Sequence, residues 1–377
     1  MKKLLILGAG IIQVPIIIKA RDLDLYTIVL DKDQKAPGIS YSDEFHAIST
    51  DDTERVLELA IRRSIDGILT TSDYPVNVVA AVAKQLNLPG IPVELAKLCT
   101  NKYAQRHFFH QNNINIPKHK LINSINDLFS IDFFPCIMKP VDSSASKGVK
   151  MIHNQKELLE QYPISKEFSR LKLVIVEEFI HGREFSVETL SQHGKTHIVQ
   201  ITEKQTIGEG IGYFVEDTHI TPARITFEEN NNIEKTVYDV LHKMRIDNCP
   251  THTELKLNEK GIFIIEIACR LGGDYIASDL VPLSTGVDML KNVILLSLGK
   301  EINIEKTLNK VASVQFINTN NYTRCVEFIK QNNSFVVKSE IYPYIGKEIK
   351  NSNDRLGYII LNTPDIQLME QLLIYIK

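Results

Sequence analysis

The sequence contains no tryptophan, no CxxC pair and no Walker-type phosphate loop. It also has no unbroken apolar run near the ~18 residues that a membrane-spanning helix needs. Each gap closes a class. Cys99, Cys136, Cys249, Cys269 and Cys325 are scattered and odd in number, so neither a zinc ribbon nor a disulfide framework is suggested. A reducing, cytoplasmic setting is expected. Positive charge is not in excess: 43 Lys and Arg face 46 Asp and Glu, for a net charge of −3. That balance argues against a general nucleic-acid or anionic-membrane binder. The missing tryptophan goes with frequent Lys, Ile and Asn and carries no functional information.

What remains is an ordinary globular composition, 44% hydrophobic and 24% charged. Disorder is excluded as the main state. The 377 residues exceed one simple core and suit two or three lobes. Lys2-Lys3 before Leu-Leu-Ile-Leu resembles the front of a secretory leader. Gly8, Gly10, Gln13 and Pro15 interrupt that pattern, and no convincing small-residue cleavage site follows. A buried first strand over residues 3–7 is the better reading.

The apolar pattern predicts strands over 3–7, 26–30 and 66–69, with helices to about Leu23 and over 53–64 and 74–86. Alternation of this kind implies a parallel wound sheet, ending near Leu98. A polar helix is expected over 101–112. A strand-rich region follows, with strands at 136–139, 174–177, 184–190, 198–202, 254–257 and 261–267. Helices are expected over 233–244 and 287–298. The tail from about Ile302 carries strand-like pieces at 311–317 and 358–362 and a short final helix.

Gly8-Ala9-Gly10 opens a helix after a strand, and Asp31 follows at a strand end. This mimics a dinucleotide fingerprint, but Gln13 stands where the third glycine belongs. A wound-sheet turn without a nucleotide suits the residues at least as well. Lys139 at the end of an apolar strand is placed to meet a phosphate. The loop Ser143-Ser144-Ala145-Ser146-Lys147-Gly148 beside it can close over a triphosphate. Taken alone, a Ser-rich surface turn fits equally. Glu177-Glu178-Phe179-Ile180 and then Glu184 offer a strand end for an adenine edge and a carboxylate for ribose hydroxyls. An acidic hairpin rim is the alternative.

Glu254 and Glu266 lie on two runs that can pair through a turn at 258–261. Two carboxylates on one face repel unless a cation joins them. Hard oxygen ligands beside a nucleotide imply Mg²⁺, with Mn²⁺ as a substitute. Arg270 follows, suited to charge growing on a transferred phosphoryl group. Gly272-Gly273 can wrap a small ligand, and Asp274 can hold an ammonium group. Here the alternative is a tight turn with a surface ion pair.

In this order the pieces resemble the ATP-grasp superfamily. The series runs through Lys102, Lys139, the Ser143–Gly148 loop, Glu177–Ile180, Glu184, Glu254, Glu266 and Arg270. Within it, the segments 201–206, 213–216, His219, 222–223 and 266–274 are similar to ATP-dependent carboxylate–amine ligases of the L-amino-acid ligase type. The resemblance implies an α/β chain with an ATP-grasp fold and an N-terminal, Rossmann-like pre-ATP-grasp domain. The implied domains are 1–98, 99–300 (small lobe about 115–182, large lobe about 183–300) and a C-terminal extension, 301–377, packed on them.

The resemblance assigns ATP to Lys102, Lys139, Ser143, Ser144, Ser146, Lys147, Gly148, Glu177, Glu178, Phe179, Ile180 and Glu184. It assigns Mg²⁺ to Glu254 and Glu266, and catalytic roles to Arg270 and Lys204. Substrate contacts are Glu216, His219, Arg270, Gly272, Gly273 and Asp274. Ala268 stands where many ATP-grasp enzymes have an asparagine, which leaves a third protein ligand to water. The implied partners are a small carboxylate and an amine, amino acids by likeness, with no nucleic acid, no membrane and a homodimer by family likeness. The rivals are biotin-type carboxylation or a purine-pathway ligation, a nucleotide-binding regulator without turnover, and an NAD-dependent oxidoreductase built on Gly8 and Gly10.

Overall fold

The computed structural model describes residues 1–143, 146–208, 214–331, 334–343 and 352–377. Its first unit is a parallel sheet in the order β3-β2-β1-β4. The strands are β1 (Lys3–Leu7), β2 (Tyr26–Leu30), β3 (Glu44–His46) and β4 (Gly67–Thr70). Leu4, Leu5, Ile6 and Leu7 have no exposed surface, because helices cover both faces. Those helices are α1 (Val14–Asp22), α2 (Thr53–Arg63) and α3 (Val76–Gln85). Pro15 sits in the first turn of α1, where its missing N–H costs nothing. The short strand β3 was not legible as an apolar run; it is Glu-Phe-His at a sheet edge.

Gly8 takes φ +104°, and the side chain of Gln13 packs against Gly8 and Gly10. Its amide donates to Thr71 and Ser72 at 3.0 and 2.9 Å. Asp31 accepts from the Ala9 N–H at 2.9 Å. The fingerprint-like turn is thus filled by the protein's own glutamine, and its acid holds its own backbone.

Two helices, α4 (Val93–Cys99) and α5 (Lys102–Gln111), lead out of this unit. A small antiparallel sheet follows in the order β5-β8-β6-β7. Its elements are β5 (His119–Ile122), β6 (Cys136–Pro140), β7 (Lys150–Ile152), α6 (Gln155–Glu167) and β8 (Val174–Glu178). Strand alternation divides β6: Cys136 and Met138 enter the core under α6, while Ile137 faces a separate apolar patch with Met151 and Phe179.

The large sheet has eight strands, in the order β13-β12-β9-β10-β11-β14-β16-β15. They are β9 (Arg183–Gln192), β10 (Lys195–Ile207), β11 (Val215–Thr221), β12 (Cys249–Asn258), β13 (Gly261–Ala268), β14 (Val311–Ile317), β15 (Val336–Ile341) and β16 (Gly357–Thr363). The helices of this region are α7 (Phe227–Lys243), α8 (Val281–Thr285), α9 (Met289–Ser297), α10 (Tyr322–Gln331) and α11 (Ile366–Ile376). The helix expected from Ile233 starts earlier, at Phe227, because Thr226 and Glu229 form a reciprocal capping box. The chain after 300 continues the large sheet, since β14 pairs directly with β11. Among the described residues no single helix is long and apolar enough to cross a membrane.

Candidate active site

One face of the large sheet buries Phe185, Val187, Leu255 and Ile264 under α7. The other face carries polar side chains, because strand residues alternate. Glu184 and Glu188 lie there on β9, Lys204 on β10, Glu216 and His219 on β11, and His252 and Glu254 on β12. Glu254 pairs directly across from Glu266 on β13. A β-bulge intervenes: from the turn at 258–261 the register is regular up to Leu255 opposite Ile264, and Ile265 is then the extra residue. Without it Glu254 would face Ile265, and Glu266 would point to the opposite side of the sheet.

Three cations meet these acids. Lys204 Nζ lies 2.7 Å from Glu254, 2.9 Å from Glu216 and 3.2 Å from Glu184. Burial opposes the ammonium charge, but Glu216, Glu254 and Glu184 outweigh it and hold the lysine pKa well above its usual range. Lys102 donates to Glu266 at 2.8 Å and to the Ser143 carbonyl at 2.9 Å. His252 sits between Glu188, at 2.5 Å, and Glu254, at 3.4 Å. Burial would lower its pKa; Glu188 and Glu254 push it up to about 9 instead.

Sequence reasoning missed the tie that joins the two sheets. Arg106 is fully buried, with Nε 2.7 Å from Glu177 and Nη2 2.7 Å from the Ile265 carbonyl oxygen. Lys139 Nζ holds the other Glu177 oxygen at 2.5 Å. Burial alone would raise the Glu177 pKa, yet Arg106 and Lys139 bring it down to about 2. Gln105 closes the tie by bonding both the N–H and the carbonyl of Ile267. Lys102, Gln105 and Arg106 occupy i, i+3 and i+4 on α5, one helix face. That spacing was the available signal.

The Glu177 carboxylate therefore serves its two cations, and only its backbone and the residues after it remain for a base. Glu178 accepts from the Lys118 N–H at 3.4 Å. Phe179 and Ile180 are buried, and Phe179 closes an apolar patch with Ile137, Met151, Val149 and Phe214. In the loop, Ser143 is buried while Ser146 and Lys147 are exposed. Gly148 turns at φ +72° against Phe168 and Pro140. Ser144 lies outside the described residues.

The last group surrounds Arg270. Its guanidinium donates to Asp73 from Nε at 2.7 Å and Nη2 at 3.3 Å, so the N-terminal unit reaches the site through a residue just after β4. Gly272 lies so close to the Glu188–His252 pair that a Cβ there would stand 2.7 Å from Glu188 Oε1 and 2.8 Å from His252 Nδ1. Its N–H donates to Glu188 at 3.1 Å. Gly273 faces open space. Asp274 is held by the fork of Arg355, at 3.1 and 3.0 Å. Neither Asp73 nor Arg355 carried a sequence signal, since both come from outside the motif series.

Residues 132–279 match the model of an ATP-grasp domain, and residues 17–90 that of an ATP-grasp N-terminal domain. The chain is an ATP-grasp protein. It is 26% identical over 283 residues to an alanine–anticapsin ligase of Bacillus subtilis, covering 68% of this chain and 59% of that one. It is 23% identical over 353 residues to a formate-dependent phosphoribosylglycinamide formyltransferase of Methanocaldococcus jannaschii, covering 92% and 83%. The first curated relatives are spanned only to 52–59% of their length. Among solved structures it is similar to an L-amino acid ligase from Bacillus licheniformis, with TM-score 0.82, 24% identity and coverage of 98% and 95%. That likeness speaks for the fold. ATP-grasp enzymes bind ATP or ADP.

Proposed function

We propose that this ATP-grasp protein is an ATP-dependent carboxylate–amine ligase that forms an amide bond through an acyl phosphate and releases ADP and phosphate. The observation that carries the reading is the facing pair Glu254 and Glu266, ringed by Lys102, Lys204 and Arg270. Phosphoryl transfer needs such a field of fixed charge around the phosphates.

Lys102 and Lys139 suit the phosphates, the Phe179 patch suits adenine, and Glu184 suits the ribose. The loop over 143–148 would close above the phosphates and exclude water, which would destroy an acyl phosphate. Glu254 and Glu266 fit Mg²⁺, since both are oxygen donors on one face with side chains 27% and 26% exposed. Among the described residues no group of three or more His, Cys, Asp or Glu side chains is arranged to hold a metal ion, so the protein would offer the two carboxylates alone. Held by these two carboxylates, the ion would supply positive charge to offset that of the phosphates. The substrate carboxylate attacks the γ-phosphorus, and the bond from that phosphorus to the bridging oxygen breaks, leaving ADP. The amine then attacks the acyl carbon, phosphate leaves, and the amine gives up a proton. Arg270 faces the charge that grows on the transferred group.

The likeness to the formyltransferase keeps a purine-pathway ligation as a second reading. One assay separates the two. ADP and phosphate release from MgATP is followed across pairs of amino acids and small carboxylates, with product masses recorded. Release that needs both an acid and an amine, with a new amide mass, supports the ligase. Release driven by formate and a phosphoribosyl amine supports the second reading, and AMP with pyrophosphate would sink the acyl-phosphate route.

A further inference from the structure

The segment that follows β4, residues 71–74, is gripped by three distant parts of the chain. Gln13 of the glycine turn donates to Thr71 and Ser72. Asp73 accepts from Arg270. Tyr74 donates its hydroxyl to Ser143 Oγ at 3.5 Å. Ser143 stands just past β6 in the small lobe, and its carbonyl oxygen accepts from Lys102. One short stretch of the N-terminal unit thus meets the base of the small-lobe loop with Tyr74 and the guanidinium of Arg270 with the residue before it.

A second contact falls on Tyr74 from the same lobe. Arg170 lies in the turn between α6 and β8. Its guanidinium carbon is 4.2 Å from the centroid of the Tyr74 ring, and its Nη2 is 3.0 Å from Asp51 Oδ2, just before α2. A planar guanidinium suits both tasks, since it stacks on an aromatic face and still donates at its edge. The turn that presents Arg170 is itself tied to the base of the loop. Asp142, the residue before Ser143, accepts from the Ser169 hydroxyl at 2.7 Å and from the Leu171 N–H at 3.0 Å, on either side of Arg170. A shift of residues 142–143 therefore moves Arg170 and Ser143 together, and both bear on Tyr74. The clasp is light. The Arg170 and Asp51 side chains are 54% and 41% exposed, and exposed ion pairs are weak. Contacts of that strength can be made and released in each reaction cycle, unlike the buried Arg106–Glu177 tie.

We propose that Tyr74 and Arg170 are positioning residues: they carry the seating of the small lobe on its nucleotide to Asp73, and so to the aim of Arg270. The path is short. Tyr74 and Asp73 are bonded neighbours, so a fixed Tyr74 leaves Asp73 little freedom to swing away from Arg270. The arginine that faces the transferring phosphoryl group is then held best when the base of the phosphate loop is in place. The structural arm of the test needs only nucleotide binding; the kinetic arm rests on the ligase reading above.

The test follows amide hydrogen exchange on the full chain, with and without a non-hydrolysable ATP analogue and Mg²⁺, over residues 71–74 and, for reference, over 137–143. Wild type should exchange more slowly over both segments when the analogue is bound. Arg170→Met removes the charge and the flat stacking surface. It should keep the protection over 137–143 and lose that over 71–74, and Tyr74→Leu should do the same. Arg170→Lys keeps the bond to Asp51 without the stack and should fall between. Should Tyr74→Leu fail to fold, Tyr74→Phe, which loses only the hydroxyl, should show part of the same loss. In ADP release with the best acid and amine, kcat of Arg170→Met should fall about 10-fold or more, as expected when a reacting group is slightly misplaced. Its KM for ATP should move by less than about fivefold, the ceiling for an exposed pair. Unchanged protection over 71–74 in the Arg170 and Tyr74 variants overturns the inference. So does a wild type whose residues 71–74 are not protected by the analogue. A raised KM for ATP with kcat unchanged also overturns it, since the clasp would then serve nucleotide binding alone. No ADP release with any pair removes the ligase reading, and the exchange result then still decides the inference.

Discussion

Glu254 and Glu266 share one face of the large sheet because Ile265 is bulged out between β12 and β13. The bulge has a second consequence. It offers the Ile265 carbonyl to Arg106, whose other contact is Glu177 of the small sheet. The register that aligns the proposed metal ligands thus also anchors one sheet to the other.

Neutralising either acid tests the metal assignment. Glu266→Gln or Glu254→Gln should lower Mg²⁺-dependent turnover by about 10²–10³-fold, the range for losing one main electrostatic group. An amide binds a hard cation poorly, and Lys102 or Lys204 would lose its partner as well. Circular dichroism should show an unchanged fold. Full turnover with an unaltered Mg²⁺ titration would refute the assignment.

Arg106 should matter for stability more than its place on a polar helix suggests. It is buried with Glu177, and removing it leaves that buried carboxylate with Lys139 as its one remaining cation. Arg106→Met should destabilise the protein by about 3–5 kcal/mol in denaturant unfolding. Adding Glu177→Gln should cost less than the sum of the two single losses, because the Arg106–Glu177 interaction can be lost only once. A strictly additive double mutant would contradict the pairing.

The same glutamate gives a pH dependence of known sign. Its pKa falls from 4.5 to about 2 on folding. A lowered carboxylate pKa contributes stability that is present above the unfolded value and lost as pH falls through the folded one. The contribution is of the order of 3 kcal/mol and should fade between pH 4.5 and about 2. Glu177→Gln should flatten the acid limb of a stability–pH curve over that window. An acid limb identical to wild type would exclude Glu177 as its source.

Much of this was legible in the residues. The apolar run at 3–7 could only be a buried strand, and the acids, lysines and glycine turn fell in a recognisable order. What escaped shares one physical reason: it depended on tertiary register. Strict alternation from the turn at 258–261 would have put Glu254 and Glu266 on opposite faces, and only a bulge reconciles them. A buried arginine on α5 looks like any surface arginine until Glu177 is known to lie beneath it. The strand β11 reads Val-Glu-Asp-Thr-His-Ile-Thr, too polar for a core strand, because it lines a site. Asp73 and Arg355 lie far from the motifs in sequence and meet them only in space.

Gly272 is irreplaceable for a reason separate from flexibility. A methyl there would strike Glu188 and His252, which are paired to each other and buried. Gly272→Ala should cost about 1–3 kcal/mol, the usual penalty for overpacking. It should also raise the substrate KM, since the loop carrying Arg270 and Asp274 must shift. Gly273→Ala is the control: no atom lies within 4 Å of where its methyl would stand, so stability should hold.

Asp73 provides the last prediction, on how the N-terminal unit serves the chemistry. It holds Arg270 by two hydrogen bonds, and burial notwithstanding, Arg270 keeps its carboxyl pKa below the usual range. A charge-assisted pair of this geometry aims the guanidinium as well as binding it. Asp73→Asn retains the shape and one acceptor but removes the charge. The apolar patch proposed for adenine, formed by Phe179 and its neighbours, does not include Asp73, so the KM for ATP should change less than kcat. A guanidinium that is less well aimed stabilises the transferring phosphoryl group less, so kcat should fall by about 10-fold or more. Asp73→Glu, which keeps the charge but moves it by one methylene, should fall between the two. A kcat unchanged in Asp73→Asn would mean that Arg270 is aimed by its bond to the Leu271 carbonyl alone, and that the N-terminal unit is only a scaffold.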